Sequence, residues 1–179
     1  MSKLSDINMF AGPGAGKSTT AAGVFYALKS ANIRAELVTE SAKDATYEGH
    51  KFLLSQQIFL FADQLRRQAR LNGKREVIVT DSPILLPALV YNDRWDCLPC
   101  LAWEAWKEFD NINYFIKRAK EYDTEGRNET YLEALDQDAD AKAALINYGI
   151  QFDEVPGNMD GVDYIVRDYL ERREKYAYV

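Results

Sequence analysis

A glycine-rich segment near the start of the sequence constrains the fold of this chain more than any other feature. It reads AGPGAGKS over residues 11–18 and matches the pattern G-x-x-x-x-G-K-[ST] except at its first position, where Ala11 replaces glycine. Glycines let the backbone turn sharply and point N–H groups inward at an anion. An apolar run precedes the segment and a helix-like stretch follows it, which is the context that a phosphate-binding loop requires.

This segment predicts a binding site for ATP and Mg²⁺. We expect its residues to hold the phosphates of ATP: Gly12, Pro13, Gly14, Ala15, Gly16, Lys17, Ser18 and Thr19. Lys17 is expected to reach the β- and γ-phosphate oxygens and to act in catalysis, and Ser18 is expected to ligate Mg²⁺. Asp81 ends the β-branched run EVIVT and is the predicted second residue at the metal, a role compatible with capping a following helix.

Strand-like and helix-like segments alternate along the chain. Short apolar or β-branched runs predict strands at 7–11, 34–39, 76–80, 113–117 and 151–155. Amphipathic stretches predict helices at 18–30, 51–71, 84–91, 101–109, 129–148 and 162–173, and the polar stretch 41–49 predicts a loop. The alternation indicates one α/β domain over residues 1–179, with a five-stranded parallel sheet between two helical layers.

Charged residues outside the glycine-rich segment supply candidates for a second half of the site. Glu40 ends the second predicted strand, so it should lie at the carboxyl edge of the sheet, beside the glycine-rich segment. Glu40 or Asp44 is the predicted proton acceptor for a substrate hydroxyl, and the alternative for both is a solvated loop charge. The charged segment 118–130 predicts a lid, with Arg127 as a catalytic phosphate clamp and Arg118 as a further phosphate contact.

A cluster of amides opens the long helix predicted at 51–71. Gln56 and Gln57 together with Phe59 have the chemistry to read a base or an amide-bearing ring. The equally simple interpretation is a pair of surface amides over a core phenylalanine. The sequence leaves both interpretations open.

Charge and cysteine content argue against several classes of protein. The formal net charge of -6 argues against tight non-specific DNA binding, which needs a cationic surface. Cys97 and Cys100 form a C-x-x-C pair that fits a redox pair or half of a zinc site, but the only histidine, His50, is distant, so two ordinary thiols are favoured. The sequence shows no signal-peptide pattern and no run of roughly 18 apolar residues, so we expect no membrane partner and a cytoplasmic location.

Four runs of the sequence, AGPGAGKST, VTESAKD, VIVTDSP and KRAKEYDTEGRNET, carry a family resemblance. The chain resembles the small P-loop kinase-like proteins often encoded by tailed phages, which are described as ATP-binding proteins of AAA or nucleotide-kinase type. Its layout is also similar to the ribosylnicotinamide kinase domain of bacterial NAD-synthesis regulators and to nucleoside and nucleotide kinases. The resemblance covers roughly residues 5–172.

The resemblance implies a P-loop NTPase fold with strand order 2-3-1-4-5. It also implies that residues 12–18 bind ATP, that Asp81 serves Mg²⁺ or the acceptor, and that Arg127 belongs to the lid. Ser82 and Pro83 stand where many nucleoside and nucleotide kinases have an arginine after the acidic residue of the third strand. That departure puts a standard nucleoside-kinase acceptor site in doubt.

These features together predict an ATP- and Mg²⁺-dependent kinase of a nucleoside, nucleotide or related small metabolite. A GTPase is disfavoured because no Asn-Lys-x-Asp element follows a late strand, and a translocating ATPase usually needs a longer chain. One alternative is a kinase of a modified base in phage DNA, which the arginines at 66–70 favour and the net charge disfavours. The other is a nucleotide-dependent switch or ATPase that binds a partner protein through Trp95, Trp103 and Trp106. A homodimer is compatible with each of these functions.

Overall fold

A parallel β-sheet lies at the centre of the computed structural model, which describes residues 3–122 and 129–177. The strands are β1 (Ser5–Phe10), β2 (Ala35–Val38), β3 (Val77–Thr80), β4 (Asp110–Lys117) and β5 (Asp153–Pro156). They lie in the order β2-β3-β1-β4-β5, and every neighbouring pair is parallel. The α/β class and the strand order implied by the resemblance are therefore confirmed.

Helices connect the strands and cover both faces of the sheet. Within the described ranges they are α1 (Lys17–Ser30), α2 (Ser41–Tyr47), α3 (Lys51–Leu54), α4 (Gln57–Ala69), α5 (Leu85–Leu89), α6 (Leu98–Trp106), α7 (Tyr131–Asn147) and α8 (Met159–Ala177). A capping box begins α7, because the Thr130 hydroxyl accepts the N–H of Glu133 while the Glu133 carboxylate accepts the N–H of Thr130. In the part of the chain that the structure describes, no helix is long and apolar enough to cross a membrane.

The alternation of side chains along β1 separates two apolar cores. Ile7 and Met9 point to one face, where they pack in a core that includes residues of α1 and α8. Phe10 belongs to the opposite core, together with residues of α4, α5, α6 and α7. The central strand is therefore buried on both sides, and helices α1 and α8 lie on the face opposite α4 to α7.

A group of buried polar side chains interrupts the apolar surface on the Phe10 face of the sheet. This polar layer consists of Asp6, Asn8, Gln64, Gln68 and Thr80. Gln64 Nε2 donates to Thr80 Oγ1 at 3.3 Å, but among the described residues both carboxylate oxygens of Asp6 and both amide atoms of Gln68 have no hydrogen-bond partner. Burial raises the pKa of the Asp6 carboxyl well above its usual value. Buried polar atoms of this kind are the usual sites of internal water.

Two of the predicted elements were wrong. The stretch 41–49, predicted as a loop, contains helix α2, whose first residue follows the extended backbone of Glu40. The single helix predicted at 51–71 is interrupted between α3 and α4, because Gln56 leaves the helical region with φ −97 and ψ 73. The Ser55 hydroxyl donates to the Phe52 carbonyl at 2.7 Å, which replaces a helical backbone hydrogen bond at this break.

Candidate functional site

The glycine-rich loop connects the end of β1 to the start of α1, as the sequence predicts. Two of its glycines, Gly14 with φ 75 and Gly16 with φ 103, adopt backbone conformations that residues with a Cβ rarely reach. Gly16 directly precedes Lys17, the first residue of α1. The loop therefore brings the amino end of a 14-residue helix to the same place as its own N–H groups.

Neighbouring elements pack tightly against this loop. The N–H of Gly12 donates to Asp138 Oδ1 of α7 at 2.5 Å, and a Cβ at Gly12 would lie 2.7 Å from the carbonyl oxygen of Ala134. On the other side, a Cβ at Gly157 would collide with the carbonyl oxygen of Ala15. The loop is thus held in shape by α7 and by the segment between β5 and α8.

Lys17 points back over the loop from the start of α1. Its Nζ donates to the carbonyl oxygens of Ala11 at 2.7 Å and of Gly12 at 2.8 Å. Burial lowers the pKa of the Lys17 ammonium, and the negative charges of Glu40, Asp81 and Asp138 oppose that effect. The ammonium group is therefore partly desolvated and close to the glycine-rich loop, where phosphate oxygens would need a cation.

Two acidic residues meet at the carboxyl ends of β2 and β3. The backbone N–H of Glu40 donates to Asp81 Oδ1 at 3.1 Å, and Asp81 is buried. Burial raises the pKa of the Glu40 carboxyl above its usual value, and the positive charge of Lys17 opposes part of that rise. The prediction that Glu40 lies beside the glycine-rich loop follows from parallel strands that end at one edge of the sheet, and the structure brings the two together.

A cavity of about 500 Å³ opens between the loop and helices α2 to α5. The side formed by the glycine-rich loop is lined by Pro13, Gly14, Gly16, Lys17, Ser18 and Thr19. Its opposite side is lined by residues of α2 to α5 and their connections, among them Thr46, Tyr47, Leu54, Gln57, Leu86 and Tyr91. Glu40, Ser41 and Ser82 also line the cavity. The cavity therefore has a cationic, glycine-rich end and an end that is partly aromatic and apolar.

Asp44, the alternative proton acceptor, does not line this cavity. Its side chain is 69% exposed, and its Oδ2 lies 3.4 Å from Arg67 Nη2 of α4. Of the amide cluster proposed from sequence, Gln57 lines the cavity, whereas Gln56 and Phe59 do not. The structure thus separates residues that are neighbours in sequence.

Arg118 lies at the end of β4, where the predicted lid begins. Its Nε donates to Asp138 Oδ2 at 2.6 Å and its Nη2 donates to the Ala134 carbonyl at 2.9 Å. Its buried Nη1 has no hydrogen-bond partner within the described ranges. Arg127, the other predicted lid arginine, lies outside the residues that the structure describes.

Two residues at the site were missed by reasoning from sequence. Asp138 accepts hydrogen bonds from both Gly12 and Arg118, so one carboxylate links the glycine-rich loop to the residue that follows β4. Tyr91 lines the cavity, its hydroxyl lies 3.5 Å from Gln137 Oε1, and burial raises its pKa. The sequence carries no local signal for Asp138, because its contact with Gly12 joins residues that are 126 positions apart in the chain.

Two oxygen donors near Lys17, on Ser18 and Asp81, are of the kind that Mg²⁺ takes. Among the residues with described positions, no group of three or more His, Cys, Asp or Glu side chains is placed to hold a metal. Mg²⁺ in phosphate-handling sites is usually held by one or two carboxylates together with phosphates and water. The exposed hydroxyl residue Ser18 and the buried carboxylate of Asp81 supply donors of that type.

Comparisons with known proteins leave the family of this chain undefined. No protein-family model matches the sequence, and no curated protein matches it. Fold alone does not define an activity, so the function is argued below from the residues of the site.

Proposed function

We propose that the protein is an ATP- and Mg²⁺-dependent kinase that phosphorylates a nucleoside, a nucleotide or a related small metabolite. The observation that carries this proposal is one cavity that is lined by the glycine-rich loop, by Lys17 and by Glu40. A kinase needs a phosphate cradle, a cation and a carboxylate within reach of an acceptor hydroxyl. With ATP as the donor, we place the reaction in the cytoplasm.

The size and lining of the cavity support a small acceptor. Its volume of about 500 Å³ lies within the range of roughly 300–1,000 Å³ that is typical of small-molecule sites. The side opposite the loop offers Tyr47, Leu54, Gln57 and Tyr91, which combine apolar surface with groups that form hydrogen bonds. A ring that carries a hydroxyl-bearing substituent would fit such a lining, with the hydroxyl directed at Glu40.

Each charged residue then has a separate role in phosphoryl transfer. The loop N–H groups and the Lys17 ammonium bind and orient the phosphates, and they stabilise negative charge as the phosphoryl group moves. Glu40 accepts or orients the proton of the acceptor hydroxyl. Asp81 fixes the backbone of Glu40 through its N–H, and with Ser18 it would hold Mg²⁺, which neutralises phosphate charge when bound.

Transfer of label from γ-labelled ATP tests the proposal directly. The acceptors to be screened are nucleosides, deoxynucleoside monophosphates, ribosylnicotinamide and DNA. We expect labelled product with at least one small acceptor. ATP hydrolysis that no acceptor changes, and that a partner protein raises, would contradict the kinase proposal and favour a nucleotide-dependent switch.

Replacement of Lys17 tests the role of the loop. Lys17→Ala removes the partly desolvated ammonium that contacts the loop, so we expect kcat/KM to fall by roughly 10²-fold or more. Lys29→Ala is the matched control, because Lys29 is an exposed residue in the last turn of the same helix. Circular dichroism verifies that both variants fold. A Lys17→Ala protein with full transfer activity would refute the assignment.

A further inference from the structure

The pair Cys97 and Cys100 lies at the start of α6, away from the residues that line the proposed kinase site. Cys97 directly precedes the helix, Cys100 is in its first turn, and both are exposed free thiols. Cys97 already has helical backbone angles, φ −86 and ψ −14, and its carbonyl accepts the N–H of Leu101 at 3.1 Å. The two cysteines are therefore three residues apart in one closed helical turn.

Helical geometry places these cysteines within reach of a disulfide. Residues three apart in an α-helix have Cα atoms about 5 Å apart, which is inside the range of about 4.4–6.8 Å found for disulfides. Their Cβ atoms are about 5–6 Å apart in a regular helix, and a disulfide needs about 3.8 Å. Closing the bond therefore requires the first turn to tighten by roughly 1–2 Å. An exposed bond formed against such a cost is of the labile, reversible type.

The inner side of this turn is fixed, so the thiols are presented outward. Leu98, between the cysteines, is 1% exposed and belongs to the apolar core that also contains Leu85 and Leu86. Pro99 lies in the first helical positions, where its missing N–H costs no helical hydrogen bond and its ring restricts the backbone. Leu98 holds the turn against the core while Cys97 and Cys100 remain accessible to solvent.

The sequence favours two ordinary thiols at these positions, but on this geometry we propose that Cys97 and Cys100 form a reversible redox pair that reacts with small disulfides. A thiolate of one cysteine attacks a sulfur of the oxidant, forms a mixed disulfide and releases one thiol. The thiolate of the other cysteine attacks the protein sulfur of the mixed disulfide, closes the Cys97–Cys100 bond and releases the second thiol. Two electrons and two protons pass from the protein to the oxidant, and a small dithiol reverses the reaction.

Equilibration of the full chain with reduced and oxidised glutathione tests this proposal. Free thiols are trapped with a maleimide at each glutathione ratio and counted by intact mass. We expect both cysteines to lose reactivity together as oxidised glutathione increases, along the curve of a single two-electron couple, in a monomer that has lost two hydrogen atoms. Dithiothreitol should restore both thiols.

The single variants Cys97→Ser and Cys100→Ser are the controls, because each keeps one exposed thiol and cannot close the internal bond. We expect each variant to end as a mixed disulfide with one glutathione. The proposal is overturned if the unmodified chain keeps both thiols at every ratio, carries two glutathiones, or forms disulfide-linked dimers in dilute solution. Zinc that copurifies with the chain and blocks oxidation until it is chelated would overturn it equally.

Discussion

Glu40 directly precedes α2 and Asp44 lies in its first turn, but the surroundings of the two side chains differ. Glu40 lines the cavity, and burial raises the pKa of its carboxyl. Asp44 faces solvent on α2 and forms an ion pair with Arg67. A carboxylate with a raised pKa takes up a proton more readily, which suits the acceptor of a hydroxyl proton. The local environment therefore selects Glu40 for that role under the proposed function.

Removal of the Glu40 charge should have a large effect on turnover. Glu40→Gln keeps the shape of the side chain but removes the proton acceptor, so we expect kcat to fall roughly 10²- to 10⁴-fold. Asp44→Asn is the matched control, and because exposed ion pairs contribute little, its kcat should stay within about twofold of the unchanged chain. Steady-state kinetics with the acceptor identified by the transfer screen provide the measurement. Equal losses in the two variants would contradict the assignment.

Sequence reasoning reached Lys17 and Ser18 because their motif is contiguous, but it left Glu40 and Asp44 as alternatives. The choice depends on whether residues after Glu40 form a loop or a helix, and the polar composition of 41–49 favours a loop. Once α2 forms, Asp44 turns toward Arg67 of α4. That contact depends on how α2 packs against α4, and the composition of residues 41–49 alone does not predict that packing.

At the scale of elements, the glycine-rich loop is shaped by segments that come late in the chain. Gly157 lies just after β5, and its N–H donates to the Lys117 carbonyl at 2.9 Å. This bond holds Gly157 where an added Cβ would meet Ala15 and Ile116. The shape of the glycine-rich loop is therefore tied to the ends of β4 and β5.

A methyl group at Gly157 should disturb the loop without removing any of its residues. Gly157→Ala forces backbone against backbone, so we expect a loss of about 1–3 kcal/mol in the free energy of unfolding together with weaker ATP binding. In the control Gly149→Ala, the added Cβ meets nothing within 4 Å, and only the left-handed backbone is penalised, by about 1–2 kcal/mol. Urea unfolding and ATP titration measure the two effects. ATP affinity that is unchanged in Gly157→Ala would contradict the coupling.

The elements themselves were predictable to the extent that their signals are local. The β-branched run at β3 and the capping pattern before α7 both mark elements that the structure contains. The break between α3 and α4 carries no glycine or proline, so periodicity alone runs through it. It forms where Gln57 Nε2 donates to the Leu54 carbonyl at 2.8 Å, a bond that depends on a side-chain conformation.

At the scale of the whole molecule, the polar layer is a cost that folding must overcome. Asp6 is fully buried in the central strand, and its raised pKa means that the folded chain holds a proton that the unfolded chain releases above about pH 3.8. Below that pH the carboxyl is protonated in both states, so ionisation of Asp6 takes nothing from the free energy of unfolding. As the pH rises toward the folded-state pKa, the unfolded state releases the proton first, and the free energy of unfolding falls.

Replacement of Asp6 by a group that does not titrate should reveal this cost. For Asp6→Asn we expect a free energy of unfolding that exceeds that of the unchanged chain by an amount that grows with pH, reaching the order of 1 kcal/mol or more near neutrality. Urea unfolding of both proteins between pH 4 and pH 8 measures the difference. Asp163→Asn, on the exposed side of α8, controls for removal of any carboxylate. A difference that does not change with pH would contradict the prediction.

The residues that complete the site come together only in the folded molecule. The strand order was expected from resemblance, and it explains why β2 and β3 bring Glu40 and Asp81 to one edge. Asp138 of α7 contacts Gly12, although the two residues are 126 positions apart in the chain. No local pattern in the sequence records such a contact.

The position of β1 in the sheet has a consequence for how the chain folds. Ser5 lies opposite both Val77 of β3 and Asp110 of β4. Strand β1 therefore stays unpaired until these later segments of the chain have been synthesised. During that time its apolar residues are exposed to other chains, a condition that favours aggregation. In the unfolded chain the Asp6 carboxyl is ionised at neutral pH, and a charge beside Ile7 near the start of this strand opposes such association. The same carboxyl that lowers the stability of the finished fold thus protects its central strand while it is unpaired.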